Sequence, residues 1–419
     1  MIKLKKYQSD EFVTYYDSDE VVTLPELYEK RPNDVRGVWV SNVANIDTPI
    51  MKEKTEYQEY LQKMMENIAS YNINTVVFQV RPANDAYYPS KLNPYSRFIT
   101  GVEGKDPGFD VLDYVINLAK KYNIKIHAWI NPYRVSVRSL TNDNLTVEEY
   151  LATLDDLNFA KRNPHLTIQD SSGKLILRPA APEVIDFVAQ TIMEIVENYD
   201  VEAVHIDDYF YPYAKIDEAL EQEDYDKYAL PNESFDDFRR RNVDNMIKRI
   251  YDDLKEFFVK TGRKVLFGIS PFSVYRTNKK YKETGWEKGS RHSGGALECY
   301  TDLYSDIYKW MKEGWIDYVV PQAYFPFERK DITYHDIVRW WSEISKTTNT
   351  TLYIGQGLYQ MGAKDKPEWS SPNEIANQLK YNQNFDNIEG TIFFTYHDLV
   401  KSDNEIKNQA LETIRDLWK

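Results

Sequence analysis

The sequence predicts an α/β chain folded as one (β/α)8 barrel, and three observations carry that prediction. Eight short runs rich in β-branched and aromatic residues recur, each followed by a loop and a stretch of helical period. Strands that alternate with helices pair in parallel, because the crossover between parallel neighbours takes a helix's worth of chain. At 419 residues the chain exceeds an average domain, but barrels of this kind run to about 250 residues and far beyond with insertions.

Residues 1–34 lie outside the repeat and read as an edge extension or partly ordered arm; the barrel domain is expected over 35–419. The first run is "RGVWVS" from Arg36. A helix follows, with Leu61, Met64, Met65 and Ile68 on one face, and leads to "NTVVFQV" from Asn74. Leu112, Val115, Ile116 and Ala119 mark the next helix, before "IKIHAWI" from Ile124. The longest connection comes here, from Val135 to the helix expected over Glu183 to Asn198, and a loop of that length over a barrel mouth reads as functional. "EAVHID" from Glu202 is the fourth run. Val243, Met246, Ile247, Ile250 and Leu254 share a helix face ahead of the fifth, "KVLFGIS" from Lys264. "DYVVPQAY" from Asp317, "TLYIGQG" from Thr351 and "GTIFFTY" from Gly390 complete the eight. Ser371-Pro372-Asn373-Glu374 has the cap, first-turn proline and third-position glutamate of a helix start.

Composition narrows the partners. A net charge of −14 repels phosphate backbones, so nucleic acid is not expected, and no apolar run is long enough for membrane insertion. The 33 Tyr and 9 Trp exceed what a core needs, and aromatic faces along a groove suit sugar rings, whose C–H faces are apolar and whose rims are hydroxylated. The single cysteine, Cys299, excludes an intrachain disulfide and a thiolate cluster. The N-terminus has no apolar stretch after its basic residues, so a cytoplasmic location is expected, or a secreted or envelope one if a leader was trimmed. Oligomeric state is not legible.

Strand side chains alternate between helix layer and barrel interior. In the second run Val76, Phe78 and Val80 form the outer set, leaving Gln79 and Arg81 inward. In the third, Ile124, Ile126, Ala128 and Ile130 face out while His127, Trp129 and Asn131 face in. In the fourth, His205 and Asp207 point inward and Asp208 stands at the strand's end; the sixth offers Gln322 and Tyr324. Polar residues thus converge at the C-terminal strand ends, where barrel active sites lie. An unpaired buried polar group costs about 1–3 kcal/mol, so the cluster implies partners among itself, water or a ligand. Adjacent Asp207 and Asp208 resist simultaneous ionisation, which suits acid/base chemistry; the alternative is that one anchors a loop or pairs with Arg81.

At these residues the sequence resembles the glycosyl hydrolase-like 10 family of bacterial proteins, which includes a division-site peptidoglycan glycosidase. The matching motifs are "RGVWVSNVANID", "FQVRPANDAYYPSKLNPYSRFITGVEGKDPGFDVL", "HAWINPYR", "VHIDDYFYP", "GISPF", "DLYSDIYKWMKEGWIDYVVPQAYFP" and "YIGQGLY", in order from Arg36 to about Tyr359. The resemblance implies a (β/α)8 barrel that hydrolyses glycosidic bonds, in peptidoglycan or another glycan containing N-acetylhexosamine; no cofactor and no metal are expected.

Glycoside hydrolysis ordinarily takes an acid and a second carboxylate. Asp207 is the first choice, partnered by Asp208 or by another strand end: Asp85, favoured because it follows the inward Arg81, or Asp47, and more remotely Glu298 or Asp398. "GISPF" lacks the late-strand glutamate of many barrel glycosidases, so a substrate-assisted scheme also stands. There the sugar's acetamido group attacks its own anomeric carbon and Tyr324 holds the acetamido oxygen. Arg81, Gln79, His127, Asn131, Tyr133, Arg134, His205, Gln322 and Tyr324 would bind hydroxyls or tune the carboxylates, and Trp129 and Tyr209 would stack on sugar. His127 and His205 equally read as internally bonded barrel residues, while His165, His292 and His335 read as solvated. Two rival functions remain: a metal-dependent, deacetylase-type barrel hydrolase with His127, His205 and Asp207 as ligands, and a non-catalytic carbohydrate-binding barrel.

Overall fold

The computed structural model describes residues 1–278 and 289–419. Eight strands, β1 (Val35–Val40), β2 (Thr75–Arg81), β3 (Lys125–Ile130), β4 (Ala203–Ile206), β5 (Leu266–Ile269), β6 (Tyr318–Val319), β7 (Thr351–Gln356) and β8 (Ile388–Phe393), close into a barrel in chain order. Every neighbouring pair is parallel. Helices α1 (Lys54–Ser70), α2 (Val111–Lys121), α3 (Pro182–Asn198), α4 (Phe235–Thr261), α5 (Ile307–Lys312), α6 (Tyr334–Ser345), α7 (Glu374–Asn382) and α8 (Glu405–Trp418) each follow one strand.

Period-two alternation divides the apolar residues into two cores. Val76, Phe78, Ile126, Ala128, Val204 and Ile206 pack outward against the helices. Trp39, Val77, Trp129, Ala203, Tyr318, Val320 and Ile392 fill the barrel. β5 supplies Gly268 where β6 brings in Tyr318, and a Cβ at 268 would stand 1.8 Å from the ring's Cζ. The absent side chain is what lets the phenol cross the interior.

Two strand expectations are corrected. β6 is only two residues long, because Pro321 has no N–H to continue the ladder. Pairing resumes at Gln322, which bridges to Phe272 and Gly355 and so still reaches the barrel mouth. In β2 the register against β3 shifts between Gln79, opposite Trp129, and Arg81, opposite Ile130. Such a bulge re-aims the next side chain, and Arg81 turns out of the barrel.

α7 begins at Glu374 rather than beside Ser371, and the Glu374 carboxylate accepts from Phe327 N and Gln378 Nε2 instead of closing a capping box. The long connection after β3 carries a two-stranded ladder, Thr167–Gln169 with Leu175–Leu177, and the short helices Val147–Ala152 and Phe159–Arg162. Residues 1–34 form a small antiparallel ladder whose Leu4, Val13, Val22 and Leu24 join the outer core. Tyr15 meets Tyr381 on α7 through a 2.8 Å hydroxyl pair, and His335 on α6 bonds Thr14 O. Among the described residues no helix is long and apolar enough to cross a membrane.

Candidate active site

The C-terminal strand ends open into a cleft of about 420 Å³. Its aromatic walls come from Trp39, Trp129, Tyr209, Tyr213, Phe272 and Phe394, and its polar lining includes Ser41, Gln79, Arg134, Gln322 and Tyr324. Asp207 and Asp208 are the two carboxylates among its described lining residues.

The pair is held unequally. Asp207 Oδ2 accepts from Trp129 Nε1 at 3.1 Å, Oδ1 accepts from Tyr209 N at 3.1 Å, and the Asn131 amide faces both oxygens at 3.4 Å. Burial raises its pKa, opposed by the Arg134 charge first and then by these donors. Asp208 accepts from the Tyr213 hydroxyl. Burial, and then the charge of Asp207, push its carboxyl up to about 6. β4 ends at Ile206, so Asp207 retains the inward direction of its strand while Asp208 starts the loop.

Other expected residues join them at the mouth. Gln79 Oε1 accepts from Asn42 N and Val43 N, and its Nε2 is buried without a partner. Gln322 donates to Ser270 O at 2.9 Å. The Tyr324 hydroxyl is buried and unpartnered. Arg134 lies 4.6 Å over the Tyr209 ring and donates to Pro82 O, while Asn131 Oδ1 accepts from Arg134 N.

The remaining candidates stand elsewhere. Arg81 is fully buried outside the barrel, donating to Asn131 O, Asn84 Oδ1 and Asn93 Oδ1 and lying 5.3 Å from the Phe187 ring. It is therefore a brace between loops. Asp85 lines a separate cavity with Arg97 and Glu103, so it does not face Asp207 across the cleft. Asp47 joins the loops after β1 and β8, accepting from Ser41 N, Thr395 Oγ1 and His397 N. Glu298 accepts from Thr301 Oγ1, and Asp398 pairs with Lys407. Tyr133 is absent from the cleft lining but belongs to a neighbouring cavity.

His127 and His205 both place Nδ1 on the Tyr318 hydroxyl, at 2.8 and 2.9 Å, and His205 Nε2 meets Ser270 Oγ at 2.8 Å. Burial lowers both pKa values, His127 to about 3, so both rings are neutral internal struts. Tyr318→Phe is expected to leave both without that partner and to destabilise the fold by about 1–3 kcal/mol, read from urea unfolding; an unchanged midpoint would contradict this role. Among the described residues no group of three His, Cys, Asp or Glu could hold a metal ion. His292 and His335 are buried rather than solvated, on Thr277 Oγ1 and Thr14 O respectively, whereas His165 is exposed.

Trp39 and Ser41 were within reach of the sequence: the alternation that makes Val38 and Val40 outer residues of β1 turns both inward. Tyr213 and Phe272 come from loops and Tyr359 from the single 3-10 turn Leu358–Gln360, where no period announces direction.

The protein is thus a closed parallel barrel with two adjacent carboxylates under aromatic walls at its C-terminal face, the end at which barrel enzymes hold their active sites. The chain belongs to the glycosyl hydrolase-like 10 family, whose sequence profile matches residues 34–371. It is 35% identical over 396 residues to the glycosyl hydrolase YngK of Bacillus subtilis strain 168, covering 93% of this chain and 73% of that protein. To the glycosyl hydrolase DigH of Escherichia coli strain K12 it is 33% identical over 410 residues, covering 94% and 89%. Solved structures that share the fold include two glycoside hydrolases. One is the glycoside hydrolase domain of PgaB (BpsB) from Bordetella bronchiseptica, with TM-score 0.51, 9% identity, and 92% of this chain and 98% of that one covered. The other is alpha-L-fucosidase isoenzyme 2 from Paenibacillus thiaminolyticus, with TM-score 0.53, 13% identity, and 91% and 49% covered.

Proposed function

We propose that this chain hydrolyses the glycosidic bond of an N-acetylhexosamine unit by a substrate-assisted route, with Asp208 as general acid and Asp207 as the orienting carboxylate. The observation that carries the reading is the unequal setting of two adjacent carboxylates in one cleft. Asp207, ringed by N–H donors and near Arg134, keeps the negative charge; Asp208, beside that charge, keeps the proton. Neighbouring residues cannot flank an anomeric carbon from opposite faces, so the sugar's own acetamido oxygen acts as nucleophile. Asp208 protonates the leaving oxygen while Asp207 accepts the acetamido N–H, and the unpartnered Tyr324 hydroxyl donates to the acetamido oxygen. Water then opens the cyclic intermediate, giving its proton to Asp208, and the anomeric configuration is retained.

Matched N-acetylated and de-N-acetylated hexosamine oligomers test this. Cleavage of the acetylated series alone, with retained configuration and inhibition by a thiazoline analogue of the intermediate, is expected. Equal cleavage of both series overturns substrate assistance.

The acid also has a pH signature. Asp208 is raised, so its protonated form persists up to about pH 6 and is lost as pH rises through that value. kcat/KM should therefore fall on the alkaline side of about pH 6, and on the acid side as the charge on Asp207 is lost, with apparent values belonging to the pair. A rate flat from pH 5 to about pH 9 would rule out this assignment.

A further inference from the structure

A second cavity, of about 460 Å³, opens between the ladder inserted after β3 and the loop after β4. It is within the size range of small-ligand pockets, about 300–1,000 Å³. The catalytic cleft and this cavity share a wall: Val43, Ile46, Arg134, Tyr209 and Tyr213 line both. Tyr209 and Tyr213 stack on each other at 5.1 Å and 14°, with Arg134 over the Tyr209 ring, and are 37% and 44% exposed, so an aromatic pair reaches solvent at the junction. Tyr133 belongs to the cavity lining but is only 1% exposed, so its unpartnered hydroxyl is shut off from the open space. Apolar Ile176 and Pro212 stand near Asp170, Ser172 and Lys174 in the lining, a mixture suited to a sugar's apolar face and hydroxylated rim.

We propose that this cavity is a second sugar subsite for the same glycan chain, so that a run of sugars passes the stacked Tyr209–Tyr213 pair and enters the space beside Ile176, Pro212 and Ser172. The inference rests on the glycan reading above. The inserted ladder then has a role of its own, since Ile176 and its neighbours form the outer wall of the subsite. Asn131 lines the cavity while its amide faces Asp207, so chain binding here meets the residue that positions the orienting carboxylate.

The test uses β-1,4-linked N-acetylglucosamine oligomers of two to six units. Binding is measured by calorimetry on the Asp207→Asn protein and turnover on the otherwise unaltered chain. Affinity should rise at least about tenfold from dimer to hexamer. Ala214→Trp, which fills the cavity from a half-buried wall position, should weaken the hexamer about tenfold more than the dimer. A flat length series, equal losses for both lengths, or no binding of any oligomer overturns the subsite. Length-dependent binding without turnover keeps the subsite and rejects the catalytic reading; turnover without length dependence does the reverse.

Discussion

Asp208→Asn is expected to lower kcat/KM on an unactivated oligosaccharide by about 10²–10⁴-fold, the usual contribution of a positioned general acid. Asp207→Asn should cost about 10²–10³-fold, as the loss of an oriented charge at the reacting centre. The two losses are separable by the leaving group. An aryl glycoside whose phenolate departs without protonation should restore much of the rate to Asp208→Asn and little to Asp207→Asn, because only the first lacks an acid. Single-turnover rates on the two substrates check this, with the fold compared by circular dichroism. The Trp129 and Asn131 donors remain able to bond an asparagine carbonyl at the Oδ2 position, while its NH2 at the Oδ1 position loses the bond from Tyr209 N, a local change that leaves the overall fold in place. Equal rescue of both variants would exchange or abolish the assigned roles.

Gly268→Ala is expected to be among the most damaging small substitutions in the chain. The added methyl would fall 1.8 Å from Tyr318 Cζ, well inside contact distance, and the ring cannot retreat without releasing His127 and His205. Overpacking alone costs about 1–3 kcal/mol, and each histidine set adrift adds a buried, unsatisfied group. Guanidinium unfolding should therefore show a loss larger than that of Tyr318→Phe, which removes the hydroxyl but keeps the ring in place. A smaller loss would mean that the interior has room the structure does not show.

The same residues indicate why part of this architecture could be read in advance. Each barrel strand is a short run with an outer apolar set, because burial against a helix layer is decided two residues at a time along one segment. Val76 and Phe78, Ile126 and Ala128, and Val204 and Ile206 declare that side without reference to anything distant. The inward set follows by parity, which is how Gln79, Trp129, Asn131, Asp207 and Gln322 were placed at the mouth. Parity fails where the backbone slips. The bulge at the end of β2 is a property of the pairing with β3, and it sent Arg81 to the helix layer.

Loop residues carry no parity at all, so the separation of Asp85 from the Asp207 cleft was not legible from its closeness to Arg81. His127 and His205 were undecided for a related reason. Their partner, Tyr318, lies 191 residues from one and 113 from the other along the chain. The short extent of β6 was, in contrast, already written in Pro321.

By itself the sequence determined the barrel, the order of its strands, the end at which polar groups gather and the adjacency of Asp207 and Asp208, since all of these follow from local periodicity and chain order. Only the tertiary structure decided which carboxylates share a cleft, that the histidines brace the interior, and that the insertion after β3 walls a second cavity beside the first. Those outcomes depend on distances between segments far apart in the chain, and such distances are set by closure of the barrel and packing of its loops.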